Sequence, residues 1–211
     1  LTVFVLSTSF AADRAKSYQT ENDDVMVFEF RFGEAKFLKE GETDHVVVRG
    51  LKKHNQAGAP VIPVKDVQIL LPAGKKIVRV TSDPIGTFKL PGIYKLAHGA
   101  EQFFRSEGPP DTPTEQDLAI YSKASFWPGR HHELVTVQVD RGYSIAHVNL
   151  FPLQYSPATG TIRMSSAIRL TLHLADAESR HRAKPTRALV DKLRRILINA
   201  NTLKSYGNIV S

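Results

Sequence analysis

Cysteine is absent from all 211 residues. That absence excludes a disulfide scaffold, a cysteine-built metal site and a thiol nucleophile. No apolar run approaches the ~18 residues of a membrane-spanning helix. The chain also lacks a G-x-S-x-G elbow, a P-loop, a G-x-G-x-x-G fingerprint and an H-E-x-x-H pair. Hydrophobic residues make up 42% of it, which suffices to bury a core and excludes a highly charged disordered chain.

Little catalytic chemistry remains. His131-His132-Glu133 is the one cluster of histidine and acid. Neighbours on a strand point to opposite faces, so these imidazoles are poorly placed to share a metal. The other histidines are scattered, and no constellation activates a nucleophile. The residues imply a protein that is not an enzyme and uses no metal or cofactor.

The net charge of +7 suggests nucleic acid until it is mapped. Arg180, Arg182, Lys184, Arg187, Lys192, Arg194 and Arg195 lie together against one acid, Asp191, so the rest of the chain is close to neutral. Phosphate binding by this tail would show as strongly salt-dependent association. No recognition motif or aromatic stacking platform accompanies the cluster, and it reads as a solvated helix face. Neither nucleic acid nor membrane is an expected partner.

Residues 1–12, Leu-Thr-Val-Phe-Val-Leu-Ser-Thr-Ser-Phe-Ala-Ala, read equally as the tail of a signal peptide or as an N-terminal strand. From Val25 to Leu174 short apolar or alternating runs recur between turn residues. Examples are Val25–Phe32, His45–Arg49, Val67–Leu71, Lys76–Val80, Glu133–Val139, Tyr143–Leu150 and Thr161–Met164. Ile168, Leu170, Leu172 and Leu174 alternate strictly onto one face. Few helical stretches intervene, so the expected fold is mainly β, an antiparallel β-sandwich in a plain or jelly-roll arrangement.

Two regions break the rhythm. Pro91–Ser125 is a long loop with glycines and prolines, and such loops in compact domains are commonly functional. After Pro185, Leu189, Val190, Leu193, Ile196, Leu197, Ala200 and Leu203 recur at helical spacing, predicting one helix from Thr186 to Leu203. The expected division is a β-sandwich over 18–175 and a basic linker with a C-terminal helix over 176–211.

The stretch from Phe126 to Leu174 carries an ordered set of motifs. It reads Phe126-Trp-Pro-Gly129, Asp140-Arg-Gly-Tyr143, Phe151-Pro-Leu-Gln-Tyr-Ser-Pro157 and Gly160-Thr-Ile-Arg163. Upstream stand Gly58-Ala-Pro-Val-Ile-Pro63 and Val67-Gln-Ile-Leu-Leu-Pro72. On physical grounds alone these are turns and hairpins: Gly142 suits a positive φ, and Ser156–Gly160 a hairpin connection. Tyr155 is expected to pack its ring inward while its hydroxyl finds a backbone partner. As an ordered set, from roughly Asp24 to Leu203, they resemble the N-terminal propeptide of the gingipain-type cysteine peptidases, peptidase family C25.

That resemblance implies an inhibitory propeptide, exported, secreted or on a prokaryotic cell surface, that keeps a C25 cysteine peptidase latent. Its partner would be the caspase-like catalytic domain, whose cleft it occludes and whose folding it assists. The family's long loop offers a basic residue to a pocket that accepts Arg or Lys. Here the matching loop runs from Leu96 to Tyr121, with Arg105 in the matching place, Phe103 and Phe104 beside it, and Lys95 and Lys123 as alternatives. Candidate cleavage sites are Arg180, Arg182, Lys184, Arg187, Arg194 and Arg195. The rival is a secreted β-sandwich adhesion or carbohydrate-binding module, whose aromatic faces would be Tyr121, Phe126 and Trp127.

Overall fold

The computed structural model describes residues 24–103, 106, 108, 112–178 and 186–207, together with the backbone of 16–19. Its early strands are β1 (Lys16–Gln19), β2 (Val25–Arg31), β3 (Ala35–Glu40), β4 (Thr43–Val48), β5 (Lys52–His54), β6 (Ile62–Leu70) and β7 (Lys75–Lys89). A short helix, α1 (Leu118–Tyr121), precedes β8 (His132–Asp140), β9 (Tyr143–Leu150), β10 (Leu153–Ser156) and β11 (Thr161–Asp176). Helix α2 (Arg187–Ile196) and a 3-10 turn over Ala200–Tyr206 close the described chain.

β11 is the spine of the first sheet. It pairs with β7 on one side, and on the other with β2 over Ala167–His173 and β10 over Thr161–Met164, all antiparallel. The second sheet runs β5-β6-β9-β8, and β3 with β4 forms a separate hairpin. The two sheets face each other across one core. Met26, Phe28, Phe30, Ile168, Leu170, Leu172 and Leu174 come from the first sheet, and Val67, Ile69, Leu71, Ala146, Val148 and Leu150 from or just beyond the second. Each of the larger side chains, all but Ala146, contributes about 1.5–3 kcal/mol when taken from water to full burial. This is the expected antiparallel sandwich, built on the alternation seen in β2 and β11.

β7 is longer than its alternation suggests. Lys76–Val80 reads as a strand, yet pairing continues through Pro84 to Lys89. Pro84 is tolerated because β7 pairs only with β11 among the described strands, and an edge strand has no ladder to feed on its outer side. The β8–β9 turn also differs in detail. Arg141 as well as Gly142 takes a positive φ, at 47° and 90°. That is the pattern of a two-residue hairpin turn whose twist matches the strands.

The apolar periodicity after Pro185 resolves into two pieces rather than one helix. Thr186 caps α2 by accepting Leu189 N at 3.3 Å, and Leu189, Val190 and Leu193 bury against Leu70, Tyr143 and Ile145. Leu197 then turns extended, and Ile198 N donates to Gln68 O at 3.1 Å. β5 pairs with β6 only as far as Val64, leaving the Gln68 end of that edge open. A backbone partner there competes successfully with another helical turn.

His131, just before β8, and His132, its first residue, diverge. His131 Nδ1 lies 3.2 Å from Phe151 O, and His132 Nδ1 lies 2.7 Å from Ser82 Oγ. Among the described residues no three His, Asp or Glu side chains are grouped to hold a metal.

Two half-buried histidines make the fold sensitive to acid. His54 packs edge-on against Phe151 with ring centroids 5.1 Å apart, and its Nε2 is buried without a partner among the described residues. Burial pushes both His54 and His132 below the ordinary value of 6.5. The unfolded chain therefore binds these protons more readily than the folded one. Stability is fully present above pH ~6.5 and declines as pH falls through that value towards the folded ones. Calorimetry is expected to show a lower thermal midpoint at pH ~5.5 than at pH ~7.5, with a smaller difference in His54→Phe. Equal midpoints in the parent chain would refute it.

Candidate functional site

The longest connection between strands joins β7 to β8, and the body grips its start. Tyr94 stacks on Phe37 with ring centroids 4.0 Å apart and donates its hydroxyl to Pro91 O at 2.6 Å. Lys95 N donates to the Asp44 carboxylate at 2.8 Å. Lys95 Nζ reaches Glu42 at 2.9 Å, and that hydrogen bond holds the Glu42 carboxyl below its usual range. Leu96, 1% exposed, enters a second apolar cluster with Val46, Ile62, Phe151 and Tyr155. Tyr155 is buried there as expected, and its hydroxyl donates to Tyr94 O at 2.9 Å.

Beyond Leu96 the chain makes two legs on the turn between β5 and β6. The outgoing leg is tied by Val61 N to Ala97 O at 2.8 Å and Gly99 N to Ala59 O at 2.8 Å. Gly58 joins both legs: its N–H donates to Gly99 O at 2.9 Å, and its carbonyl accepts Asp117 N at 3.0 Å. A Cβ at Gly99 would stand 2.2 Å from Gln56 O, and one at Gly58 3.0 Å from Glu115 O. Only glycine lets three backbones approach this closely.

The legs also hold each other. Glu101 N donates to Thr114 Oγ1 at 2.8 Å, and His98 Nε2 lies 2.8 Å from Thr114 O. Asp117 then caps α1 by accepting Ala119 N at 2.8 Å. Residues 102–113, the excursion, are thus bracketed by legs that hydrogen bonds fix to each other and to the body. Of its described residues, Gln102, Phe103, Ser106, Thr112 and Pro113 are exposed and Gly108 is half-buried.

Phe103 lies in the excursion with 49% of its surface exposed. Phe104 and Arg105 lie outside the described residues. Lys95 is at the root of the loop in its pair with Glu42, and Lys123 is exposed just beyond α1. The structure therefore separates Lys95 and Lys123 from Phe103 along the loop. Arg180, Arg182 and Lys184 are outside the described residues. Arg187, Arg194 and Arg195 are exposed on α2, the last two bonded to Asp191.

Thr114, His98, Asp117 and the Gly58–Gly99 contact have no local signature, because each pairs residues far apart in the chain. Only the glycine and proline punctuation around Gly58 hints at them.

The aromatic residues needed for a glycan platform are engaged elsewhere. Trp127 is half-buried, and its backbone pairs with Tyr155 in both directions, at 2.7 and 2.8 Å. Phe126 lies beneath the Arg163 guanidinium, 4.3 Å from its ring centroid. The Tyr121 hydroxyl is buried, and burial beside Tyr155 pushes its pKa up to about 12.

No helix among the described residues is long and apolar enough to cross a membrane. No curated protein sequence gives a significant match. Solved structures that share the fold include two of gingipain origin. One, a complex of the pro- and mature domains of RgpB from Porphyromonas gingivalis, superposes with a TM-score of 0.65 at 16% identity, covering 89% of this chain and 97% of that one. The other, from a study of the zymogenic latency of gingipain K from the same organism, gives 0.64 at 18%, covering 78% and 94%. The family model Propeptide_C25 matches residues 18–205. That span takes in both sheets, the pinned loop and α2, and the chain accordingly belongs to the propeptide family of the C25 peptidases, as a prodomain rather than a catalytic domain.

Proposed function

We propose that this chain keeps a C25, gingipain-like cysteine peptidase latent by laying residues 102–113 across its active-site cleft, and that it assists that peptidase's folding. The observation that carries the reading is the pinned root: hydrogen bonds tie the chain to the sandwich and to itself on both sides of 102–113, in a propeptide family. Arg105 is the residue that enters the specificity pocket, with Phe103 and Phe104 adding apolar contact at its sides. A guanidinium in a buried acidic pocket gains bidentate, charge-assisted hydrogen bonds. The prolines of the loop limit the entropy lost on docking.

Residues 18–175 form the occluding body in this reading, and 176–211 lead towards the catalytic domain. Maturation cuts fall in the basic segment. Arg180, Arg182 and Lys184 precede α2, whereas Arg187, Arg194 and Arg195 require that helix to open before a protease can bind them extended. The precursor is exported to the cell surface or beyond.

The test is inhibition in trans of the cognate mature C25 peptidase, assayed on a fluorogenic substrate with Arg at the cleaved position. The parent chain is expected to inhibit competitively. A chain with 102–113 replaced by a Gly-Ser linker should lose most of that inhibition while keeping its far-UV circular dichroism. Equal inhibition by both chains would reject the loop as the occluding element, and no inhibition by the parent would reject the function.

A further inference from the structure

Thr114 is the one residue of the returning leg whose side chain and carbonyl both bind the outgoing leg among the described contacts. Its Oγ1 accepts Glu101 N at 2.8 Å, and its carbonyl oxygen lies 2.8 Å from His98 Nε2. A carbonyl can only accept, so His98 carries its proton on Nε2 and donates. Below it, Gly58 joins Gly99 to Asp117 through the main chain, and Asn55 Nδ2 reaches Ala100 O at 3.3 Å. The contacts form a ladder of rungs across the root of the excursion, with Thr114 as its outermost rung.

We propose that Thr114 is a positioning residue: with Glu101 and His98 it forms a clasp that sets the spacing of the two ends of 102–113 and thereby aims Arg105. The inference rests on the loop reading above and adds to it the element that tunes its strength. The physical reason is conformational entropy. Ordering a free backbone residue costs roughly 1–2 kcal/mol, so a loop already closed at its root has less to lose when its tip docks. The Gly58 and Asn55 rungs close the loop lower down, and the His98 bond to the Thr114 carbonyl survives loss of the hydroxyl, but without Thr114 Oγ1 the outgoing leg is released from Glu101 onward. Lengthening a loop by a few residues is entropically mild. The expected loss is therefore in the aim and ordering of the tip rather than in the stability of the fold.

Three variants read this out in the trans inhibition assay with the cognate mature C25 peptidase. Thr114→Val keeps the branched shape and removes the acceptor, and is expected to raise the inhibition constant by about tenfold with an unchanged thermal midpoint. Thr114→Ser restores the acceptor and should bring inhibition back to within about twofold of the parent. His98→Phe keeps a ring of similar size, removes the second rung, and should weaken inhibition in the same direction.

The decisive measurement is a cycle with Arg105→Ala. If Thr114 acts by aiming Arg105, Thr114→Val has little further effect once Arg105 is gone. Full additivity would show a separate contact and overturn the clasp. Undiminished inhibition by Thr114→Val alone would overturn it too, while leaving the loop reading intact if Arg105→Ala still fails to inhibit. Unchanged inhibition by Arg105→Ala rejects the aiming of Arg105 at its source. Amide hydrogen exchange gives an independent readout: Glu101 N–H should lose protection in Thr114→Val and regain it in Thr114→Ser.

Discussion

Arg105→Ala is expected to weaken inhibition of the cognate peptidase by about two to three orders of magnitude, because truncating one partner of a buried charge pair costs about 2–5 kcal/mol. In the proposed docking, much of that cost would be the pocket carboxylate left buried without its cation. Far-UV circular dichroism and melting should not change, since the hydrogen bonds that fix the root of the loop run through Gly58, His98, Gly99, Glu101, Thr114 and Asp117. Arg105→Lys separates two pockets. A planar, bidentate pocket made for guanidinium should lose about tenfold or more with lysine, whereas a pocket that takes a point charge should tolerate it. An inhibition constant unmoved by Arg105→Ala would transfer the docking to another residue, and Lys123, exposed just past α1, would be the next to replace.

Asn199→Ala is expected to destabilise the domain by about 2–4 kcal/mol, although Asn199 takes part in no proposed contact with the peptidase. Asn199 is 3% exposed and acts as a strand partner made of one side chain. Its Oδ1 accepts Leu70 N at 2.9 Å, and its Nδ2 donates to Leu70 O at 2.8 Å and to Thr202 Oγ1 at 3.0 Å. Leu70 is fully buried, so alanine leaves a backbone donor and acceptor without water or protein. Urea unfolding followed by circular dichroism gives the value directly. A loss under about 0.5 kcal/mol would mean that the 3-10 turn shifts to replace both bonds.

Most strands were legible because burial on one face imposes a period of two that local sequence must obey. Ile168–Leu174 shows this, and so does the inward Met26, Phe28 and Phe30 of β2. The second half of β7 was not legible, because Pro84 is a strand breaker everywhere except at an edge, and edge position belongs to the sheet. The C-terminal helix was legible at its start, where Thr186 and the apolar spacing agree. Its end was not, because Gln68 offers Leu197 and Ile198 a partner from far away in the chain. At the site, the ordered motifs pointed to the family and the length of Pro91–Ser125 pointed to the loop. The rungs that close the loop left only the glycine and proline punctuation around Gly58 as a trace, because each joins residues distant along the chain.

By itself, the order of residues determined that this is a β-rich, cysteine-free domain, since composition and short periodicities depend only on neighbours along the chain. Tertiary structure alone decided that Gly58, Gly99 and Thr114 meet at the root of one loop, and that Asn199 completes an unfinished strand edge. Such contacts join residues whose separation in sequence carries no information about their distance, and only the packing of the sheets brings them within hydrogen-bonding reach.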